Sequence, residues 1–381
     1  MAEPLKLFFD RALVERIADS IAAAHPRLDR RSFVAEASDG LDALELKARA
    51  ERIADALASH LPSDFTEAAR VLMASLGPRH ATDELEGAGM TPFFYLPHTM
   101  FVASRGLDHF EESMALQHAL TQRFTCELSI RSFLDRHPDA TLARLAQWSK
   151  DPDAHVRRLV SEGTRQRLPW APRVALLDAH PERALPLIEP LRDDPSAMVR
   201  RSVANHLNDL SKSRPELVYA LCERWLVDAS DARRELVEHA LRSAVKRADK
   251  RALALLGHGA KAEVKVEHAR FSPARVAIGE SVRVSISVRS TARAKQALNL
   301  DLAVDFVKQR GTSTKVFKLR RVELAPGATV ELEKSVSLAV HTTRTPYVGP
   351  HAVALLVNGE RVELGSFTVV AAKGAARHGT V

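Results

Sequence analysis

Two hydrophobic periodicities divide this chain. Up to about residue 258, apolar positions recur at i, i+3, i+4 and i+7, which places them on one face of an α-helix. Val14, Ile17, Ala18, Ile21 and Ala22 form one stripe, and Leu44, Ala48, Ile53, Ala54 and Leu57 suggest a second. Ser63-Asp64 caps a third, with Phe65, Ala68, Val71 and Leu72 inward. Residues 77–92 are punctuated by glycine and proline and read as a loop. Helical pattern returns at Phe93 and runs to about Leu134. Late in that stretch, Arg123, Glu127 and Arg131 stand at i, i+4 and i+8, an alignment expected to put them on one helix face. His80 and His98 have no partner at metal-ligand spacing and read as structural or surface residues.

From Val264 the period changes to two: Val282, Val284, Ile286 and Val288 alternate with polar residues, as later do Val330 and Leu332. The pattern predicts seven strands, near 264–270, 281–289, 299–308, 315–324, 329–338, 350–357 and 361–370, with Asn358-Gly359 as the last hairpin turn. Seven short strands in about a hundred residues suggest an immunoglobulin-like β-sandwich. The predicted organisation is a helical domain over 1–258, a linker at 259–263, the sandwich at 264–372 and a disordered tail at 373–381.

Within the helical part, residues 151–170 (DPDAHVRRLVSEGTRQRLPW) carry the densest pattern. Asp151-Pro152 is expected to start a helix, Val156, Leu159 and Val160 to form its buried stripe, and Leu168-Pro169-Trp170 to end it. The opposite face reads Arg158, Glu162, Arg165, two cations flanking a carboxylate, with Gly163 thinning the helix beside them. Such a pattern also suits a solvated ionic ladder, yet Arg before Glu is the weaker i,i+4 orientation, worth roughly 0.2–0.5 kcal/mol. Stabilisation alone is a thin reason for it.

Residues 193–210 repeat the stretch, Val156-Arg157-Arg158 matching Val199-Arg200-Arg201 at a shift of 43. That period lies in the roughly 40–47 range of HEAT-type helical pairs. A third copy, at 231–241, follows after a shift of 33. In register, Arg158 matches Arg201 and Arg234, and Glu162 matches Asn205 and Glu238. Stacked repeats set equivalent helices side by side, so a groove lined by arginine with sparse carboxylates is expected in an α-helical solenoid. Asp209 lies at i+8 from Arg201, near Asn205 and Asn208, and joins Glu127 and Glu162 as a candidate carboxylate.

The net charge of +7 sharpens the picture through its placement. Residues 264–372 hold 16 Lys/Arg against 9 Asp/Glu, so the excess lies in the sandwich. A basic domain beside an arginine-lined groove suits a polyanion such as nucleic acid. The loop at Lys308-Gln309-Arg310-Gly311 and the one at 341–349, with Arg344 and Tyr347, are basic; partner binding and plain solvation are equal readings of such loops. Two cysteines, Cys126 and Cys222, are too few for a disulfide framework and point to a reducing compartment. No apolar run reaches the ~20 residues of a membrane span, and the N-terminus lacks a secretory h-region, so a bacterial cytoplasmic protein is expected. The sequence has no Cys/His cluster, P-loop or Gly-rich dinucleotide motif, and no metal, ATP or NAD dependence is expected.

Several segments together carry a resemblance: LELKARA (44–50), FFYLP (93–97), LTQRFTCELSIRSFL (120–134), HVRRLVSEGTRQRLPWA (155–171) and VRRSVANHLNDLSK (199–212). The chain resembles the AlkC family of bacterial alkylbase DNA glycosylases, which are built on HEAT-like repeats and related to AlkD. The likeness runs over nearly the whole chain, including the immunoglobulin-like domain of one branch; Ser132 stands where the family pattern has proline. The resemblance implies removal of N3-methyladenine and N3-methylcytosine from double-stranded DNA, by kinking the duplex rather than extruding the base. It also implies that Glu127, Glu162 and Asp209 form an acidic cluster at the lesion, with Trp170 an active-site aromatic and Arg158 and Arg165 nearby polar contacts.

Elementary chemistry agrees with those roles. Alkylation at N3 makes the base a good leaving group, so the enzyme needs negative charge at the developing sugar cation and a group to orient water. Asp209 is expected to position the water or stabilise the cation, with Glu162 and Glu127 sharing the electrostatic work. Arg123, Arg131, Arg158, Arg165, Arg201, Asn205 and Asn208 in the groove, and Lys308, Arg310 and Arg344 in the sandwich loops, are the expected DNA contacts of a monomer, the sandwich acting as a clamp. The rival expectation is a non-catalytic HEAT scaffold that binds DNA or protein partners.

Overall fold

The computed structural model describes residues 4–81, 91–340 and 345–372; Arg344 and the tail at 373–381 lie outside the described residues. Helices come first: α1 (Arg11–Ala24), α2 (Arg30–Ser38), α3 (Leu46–His60), α4 (Phe65–Ala74) and α5 (Leu96–Arg105). They continue with α6 (Phe110–Thr121), α7 (Ser129–Arg136), α8 (Pro138–Trp148), α9 (Ala154–Gly163) and the short α10 (Ala175–Ala179) and α11 (Leu185–Ile188). The last are α12 (Ala197–Leu210), α13 (Pro215–Leu226), α14 (Asp231–Lys246) and α15 (Lys250–Leu255). Aspartates start many of them. Asp10, Asp29, Asp64 and Asp249 each accept a hydrogen bond from the backbone N–H three residues on, satisfying a donor the helix leaves orphaned.

The 43-residue repeat has a structural counterpart. Asp151 accepts from the N–H of Asp153, and Asp194 from that of Ser196. Arg157 Nη1 donates to the carbonyls of Asp151 and Pro152, and Arg200 Nη1 to those of Asp194 and Pro195. Arg157 also grips Asp194 with two bonds, at 2.6 and 2.9 Å, stapling α9 to the turn that opens the next repeat. So the first arginine of each Arg-Arg pair holds the turn that opens its own repeat, Arg157 also bridging to the next one, and the second, Arg158 or Arg201, is left for the other face. α12 packs on α9, as the repeat predicts.

Two expectations need correction. The helix at 151–170 is shorter than read: Asp153, not Asp151, is the N-cap, and α9 stops at Gly163. A Cβ on Gly163 would lie 2.6 Å from Ile130 Cγ2, so α7 sits directly against the end of α9. Arg123, Glu127 and Arg131 also do not share a helix, because α6 ends at Thr121 and α7 begins at Ser129. Thr125 is the local cause: its hydroxyl accepts from the Glu127 N–H and donates to Glu127 Oε2, offering the backbone a turn in place of a helix.

The chain separates into two compact units, Met1–Val218 with Trp225–Ala240, and Tyr219–Arg224 with Leu241–Val381. The second unit contains the sandwich. Its strands are β1 (Val264–Ser272), β2 (Arg275–Ala277), β3 (Ser281–Ser290), β4 (Gln296–Val307), β5 (Thr312–Leu324), β6 (Thr329–Ser337), β7 (Gly349–Val357) and β8 (Glu360–Val370). One sheet runs β1-β3-β6 and the other β2-β8-β7-β4-β5. All seven predicted strands are present; β2, three residues pairing in parallel with β8, is the addition. Alternate residues such as Val282, Val284, Ile286, Leu300, Leu302, Val353 and Leu355 meet between the sheets as the core. Asn358 and Gly359 form the predicted turn, both at positive φ, with Val357 paired to Glu360. That turn lies against Ala248 and Leu253, which a Cβ on Gly359 would strike at 3.0 and 2.6 Å. The final helical residues therefore belong with the strands.

Two fully buried histidines give the helical unit a pH dependence. Burial pushes His206 and His98 each down from 6.5 to about 4. Between those values the unfolded chain binds protons that the native state does not, so stability is intact above pH 6.5 and falls as the pH drops toward 4. At pH 5 the loss is on the order of 2 kcal/mol per histidine. Urea unfolding at pH 7 and pH 5 checks this: a His98→Gln/His206→Gln variant should lose markedly less stability on acidification than the parent.

Candidate active site

Two helices and two turns bring five charged side chains into one line. α9 supplies Arg158 and Glu162, one turn apart on the same face, joined at 3.3 Å. The turn after Gly163 supplies Arg165, whose Nη1 donates to Glu162 Oε2 at 2.8 Å. α12 supplies Asp209, whose Oδ2 accepts from Arg165 Nε at 2.9 Å and Nη2 at 2.7 Å. The turn before α7 supplies Glu127, whose Oε2 accepts from Arg158 Nη1 at 3.1 Å. The order is therefore Glu127, Arg158, Glu162, Arg165, Asp209, alternating in sign and carboxylate at both ends. Lys212 meets Asp209 Oδ1 at 3.2 Å.

Burial makes this arrangement consequential. The side chains of Glu162 and Asp209 are only 6% exposed, whereas Glu127 is 19% exposed and Arg158 20%. Burial pulls the Arg165 guanidinium down, but Glu162 and Asp209 outweigh it and hold the group above its ordinary value. Carboxylates this far from water persist as anions only with close cationic partners. Three acids share two arginines, and the remaining cation, Lys212, is 38% exposed and so screened by solvent. The line retains a negative bias, which favours a further cation beside it. Beneath it, His206 donates from Nδ1 to the Ser161 carbonyl, and burial keeps its ring uncharged, so it adds no competing positive charge.

Next to the Glu127 end opens a cleft of about 270 Å³. Phe93, Phe124 and Leu128 give it apolar walls, and Glu127, Arg158 and Trp170 stand among its lining residues. Trp170 is 60% exposed and sits at φ 64°, a left-handed backbone that a tryptophan adopts only under constraint. His80 also lines the cleft, its ring 4.4 Å from that of His155, and burial lowers its pKa. Sequence reasoning set His80 aside and overlooked Phe93, Phe124 and Lys47 as site residues; they come from distant segments and share no local spacing.

The other expected contacts divide. Arg131 is a correction: it is 1% exposed, and its guanidinium donates to the carbonyls of Gly163, Arg165 and Pro172, so it lies in the interior and cannot face DNA. Asn208 is likewise buried. Arg123 turns to the Gly77 and Ala119 carbonyls. Arg201 is exposed on α12 and meets His239, which also bonds Asn205 at 3.1 Å. In the sandwich, Arg310 is exposed and Lys308 half-buried at the turn between β4 and β5.

The strain at Trp170 yields a prediction. Glycine tolerates left-handed backbone and alanine does not, so Trp170→Gly should unfold at higher denaturant than Trp170→Ala, by about 1 kcal/mol. Equal midpoints would mean that the backbone relaxes once the indole is gone.

Comparisons with known proteins bear on the same residues. Residues 123–248, which contain the whole charged line, match the family described as DNA alkylation repair enzyme. Residues 265–371 match the C-terminal Ig-like domain of the uncharacterised protein YhaZ. Over 358 residues the chain is 32% identical to YhaZ of Bacillus subtilis (strain 168), spanning 93% of this chain and 96% of that protein. It is also similar to the alkylpurine DNA glycosylase AlkC of Pseudomonas fluorescens, solved bound to DNA containing an abasic site analog. That likeness has a TM-score of 0.88 at 38% identity and covers 97% of this chain and 100% of the other. Helices and sandwich alike fall within these likenesses, and the chain belongs to the AlkC family of DNA alkylation-repair glycosylases, in the branch that carries a C-terminal immunoglobulin-like domain.

Proposed function

We propose that this protein is a DNA glycosylase that excises cationic alkylated bases, N3-methyladenine and N3-methylcytosine, by hydrolysing the N-glycosidic bond. The observation that carries the proposal is the line from Glu127 to Asp209, three carboxylates held by two arginines beside an exposed indole. A scaffold that only bound DNA would place arginines toward phosphate and gain nothing from acids that repel it.

The reaction follows from charge. The C1′–N bond breaks, its electron pair neutralises the departing base, and positive charge passes to the sugar. A carboxylate about 4 Å from that sugar stabilises it by about 4 kcal/mol at an effective dielectric of 20. Each 1.36 kcal/mol is tenfold in rate, so more than half of that attraction is enough to exceed what the indole of Trp170 adds by cation–π contact, about 0.5–2 kcal/mol. Water then adds to C1′ and passes its proton to a carboxylate and on to solvent. Among the three acids, Glu127 is the most open and lines the cleft, and we assign it to the sugar face. Asp209 and Glu162, each fixed by Arg165, position the water and hold the field. The lesion brings its own positive charge, so the chemistry as written calls for no cofactor.

Arg158 and Arg165 keep the acids oriented and offer their outer N–H groups to phosphate. Arg201 on α12 and Lys308 and Arg310 in the sandwich supply further phosphate contacts, and the duplex is kinked at the lesion, as the family resemblance implies. The cleft favours a second reading, in which the base turns out between Phe93, Phe124 and Trp170.

Release of free methylated base from alkylated duplex DNA, measured in single turnover with enzyme in excess, tests the proposal. The parent should release base with and without EDTA. Glu127→Gln, Glu162→Gln and Asp209→Asn should each slow release by about 100-fold or more while leaving DNA affinity equal or tighter, since an anion has been removed from a phosphate-binding surface. Parental rates in all three variants, or no release at all by the parent, would leave the scaffold reading in possession.

A further inference from the structure

The segment from residue 164 to 173 carries Arg165 and Trp170 yet contains no helix or strand of its own. Two cationic side chains from elsewhere hold it by its carbonyls. Arg131, buried under it on α7, donates to Gly163 and Arg165 at one end and to Pro172 at the other, at 2.8–3.0 Å. Lys47 on α3, which is 123 residues away in sequence, donates from Nζ to the Trp170 carbonyl at 3.1 Å. Arg131 fixes where the segment leaves and rejoins the interior, and Lys47 fixes its apex.

We propose that Lys47 is a positioning residue that holds Trp170 over the cleft by gripping its backbone carbonyl. Three observations converge. Trp170 sits in left-handed backbone, which persists only when its surroundings over-determine it. Its side chain is mostly in solvent, so packing of the indole cannot supply that constraint. Lys47 and Trp170 line the same cleft, and their hydrogen bond ties α3 to the segment that carries Trp170.

The bond also explains a cation that would otherwise be out of place. A lysine beside a site for cationic lesions repels its substrate, and an exposed ammonium–carbonyl bond adds little to stability because water competes for both partners. Directed at the Trp170 carbonyl, the ammonium is held by the backbone of a residue whose own side chain is largely exposed and lines the cleft. The inference rests on the proposed role of Trp170 at the lesion. The grip itself is a statement about the free protein and has its own readout.

The test uses Lys47→Met, Lys47→Arg, Trp170→Ala and the Lys47→Met/Trp170→Ala pair in the full chain. Acrylamide quenching of Trp170, isolated as the difference between each protein and its Trp170→Phe counterpart, should change in Lys47→Met without DNA and return toward the parent in Lys47→Arg. Single-turnover release at saturating enzyme should fall about tenfold in Lys47→Met, recover in Lys47→Arg, and fall no further when Lys47→Met is added to Trp170→Ala. The slope of log affinity against log salt should stay unchanged. Unchanged quenching would overturn the proposal. So would a slope smaller by about one with an unchanged saturating rate, which marks Lys47 as a phosphate contact. If Trp170→Ala releases base at the parental rate, the catalytic role of Trp170 falls, and the quenching comparison still decides whether Lys47 holds it.

Discussion

Pairing of buried carboxylates with guanidiniums is the constraint on which the site depends. Glu162 and Asp209 lie too far from water to persist as anions unpartnered, and Arg165 bonds both at once. Removing one member of such a buried set costs roughly 3–5 kcal/mol, because the charge left behind has nothing to replace the partner. The local fold serves this pairing. Gly163 ends α9 thinly enough for Ile130 to pack against it, which brings α7 close enough for Arg131 to hold the turn that delivers Arg165. The repeat register then sets Asp209 of α12 opposite that turn.

The same arrangement reconciles two demands that oppose each other in a DNA-repair enzyme. Binding a polyanion calls for positive charge, and stabilising a sugar cation calls for negative charge at one point within it. In the proposed reaction, an alternating line that begins and ends in carboxylate would meet both: its arginines would offer N–H groups to phosphate, while its bias stays negative where the cleft opens at Glu127. His206 below stays uncharged and adds no positive charge to that bias. Lys47 fits the same logic, its ammonium directed at a carbonyl beside the site.

Much of this was legible in the sequence, for reasons that differ by region. The strands announced themselves because a half-buried sheet imposes strict alternation; β2 did not, since three residues are too few to show a period. The pairing of α9 with α12 followed from the 43-residue shift, and Arg158 with Glu162 from helical spacing. Glu127 and Arg131 misled, because their spacing fits one helix and the Thr125 hydroxyl turns the chain between them. Of each Arg-Arg pair, the sequence drew attention to the groove-facing member, whereas Arg157 and Arg200 each hold the carbonyls of their own repeat's opening turn and Arg157 also grips Asp194 of the next repeat. The cleft was the hardest to foresee. Lys47, His80, Phe93, Phe124 and Trp170 meet only through tertiary packing, and no local period could have grouped them.

The central claim is that Glu127, Glu162 and Asp209 recognise positive charge on the sugar as it develops. Affinity for duplexes carrying either a cationic pyrrolidine or a neutral tetrahydrofuran in place of one nucleotide isolates that charge at constant shape. The account predicts that the protein binds the pyrrolidine duplex about 10- to 100-fold more tightly, and that Glu127→Gln/Glu162→Gln/Asp209→Asn erases the difference. Equal affinity of the parent for both duplexes would contradict it.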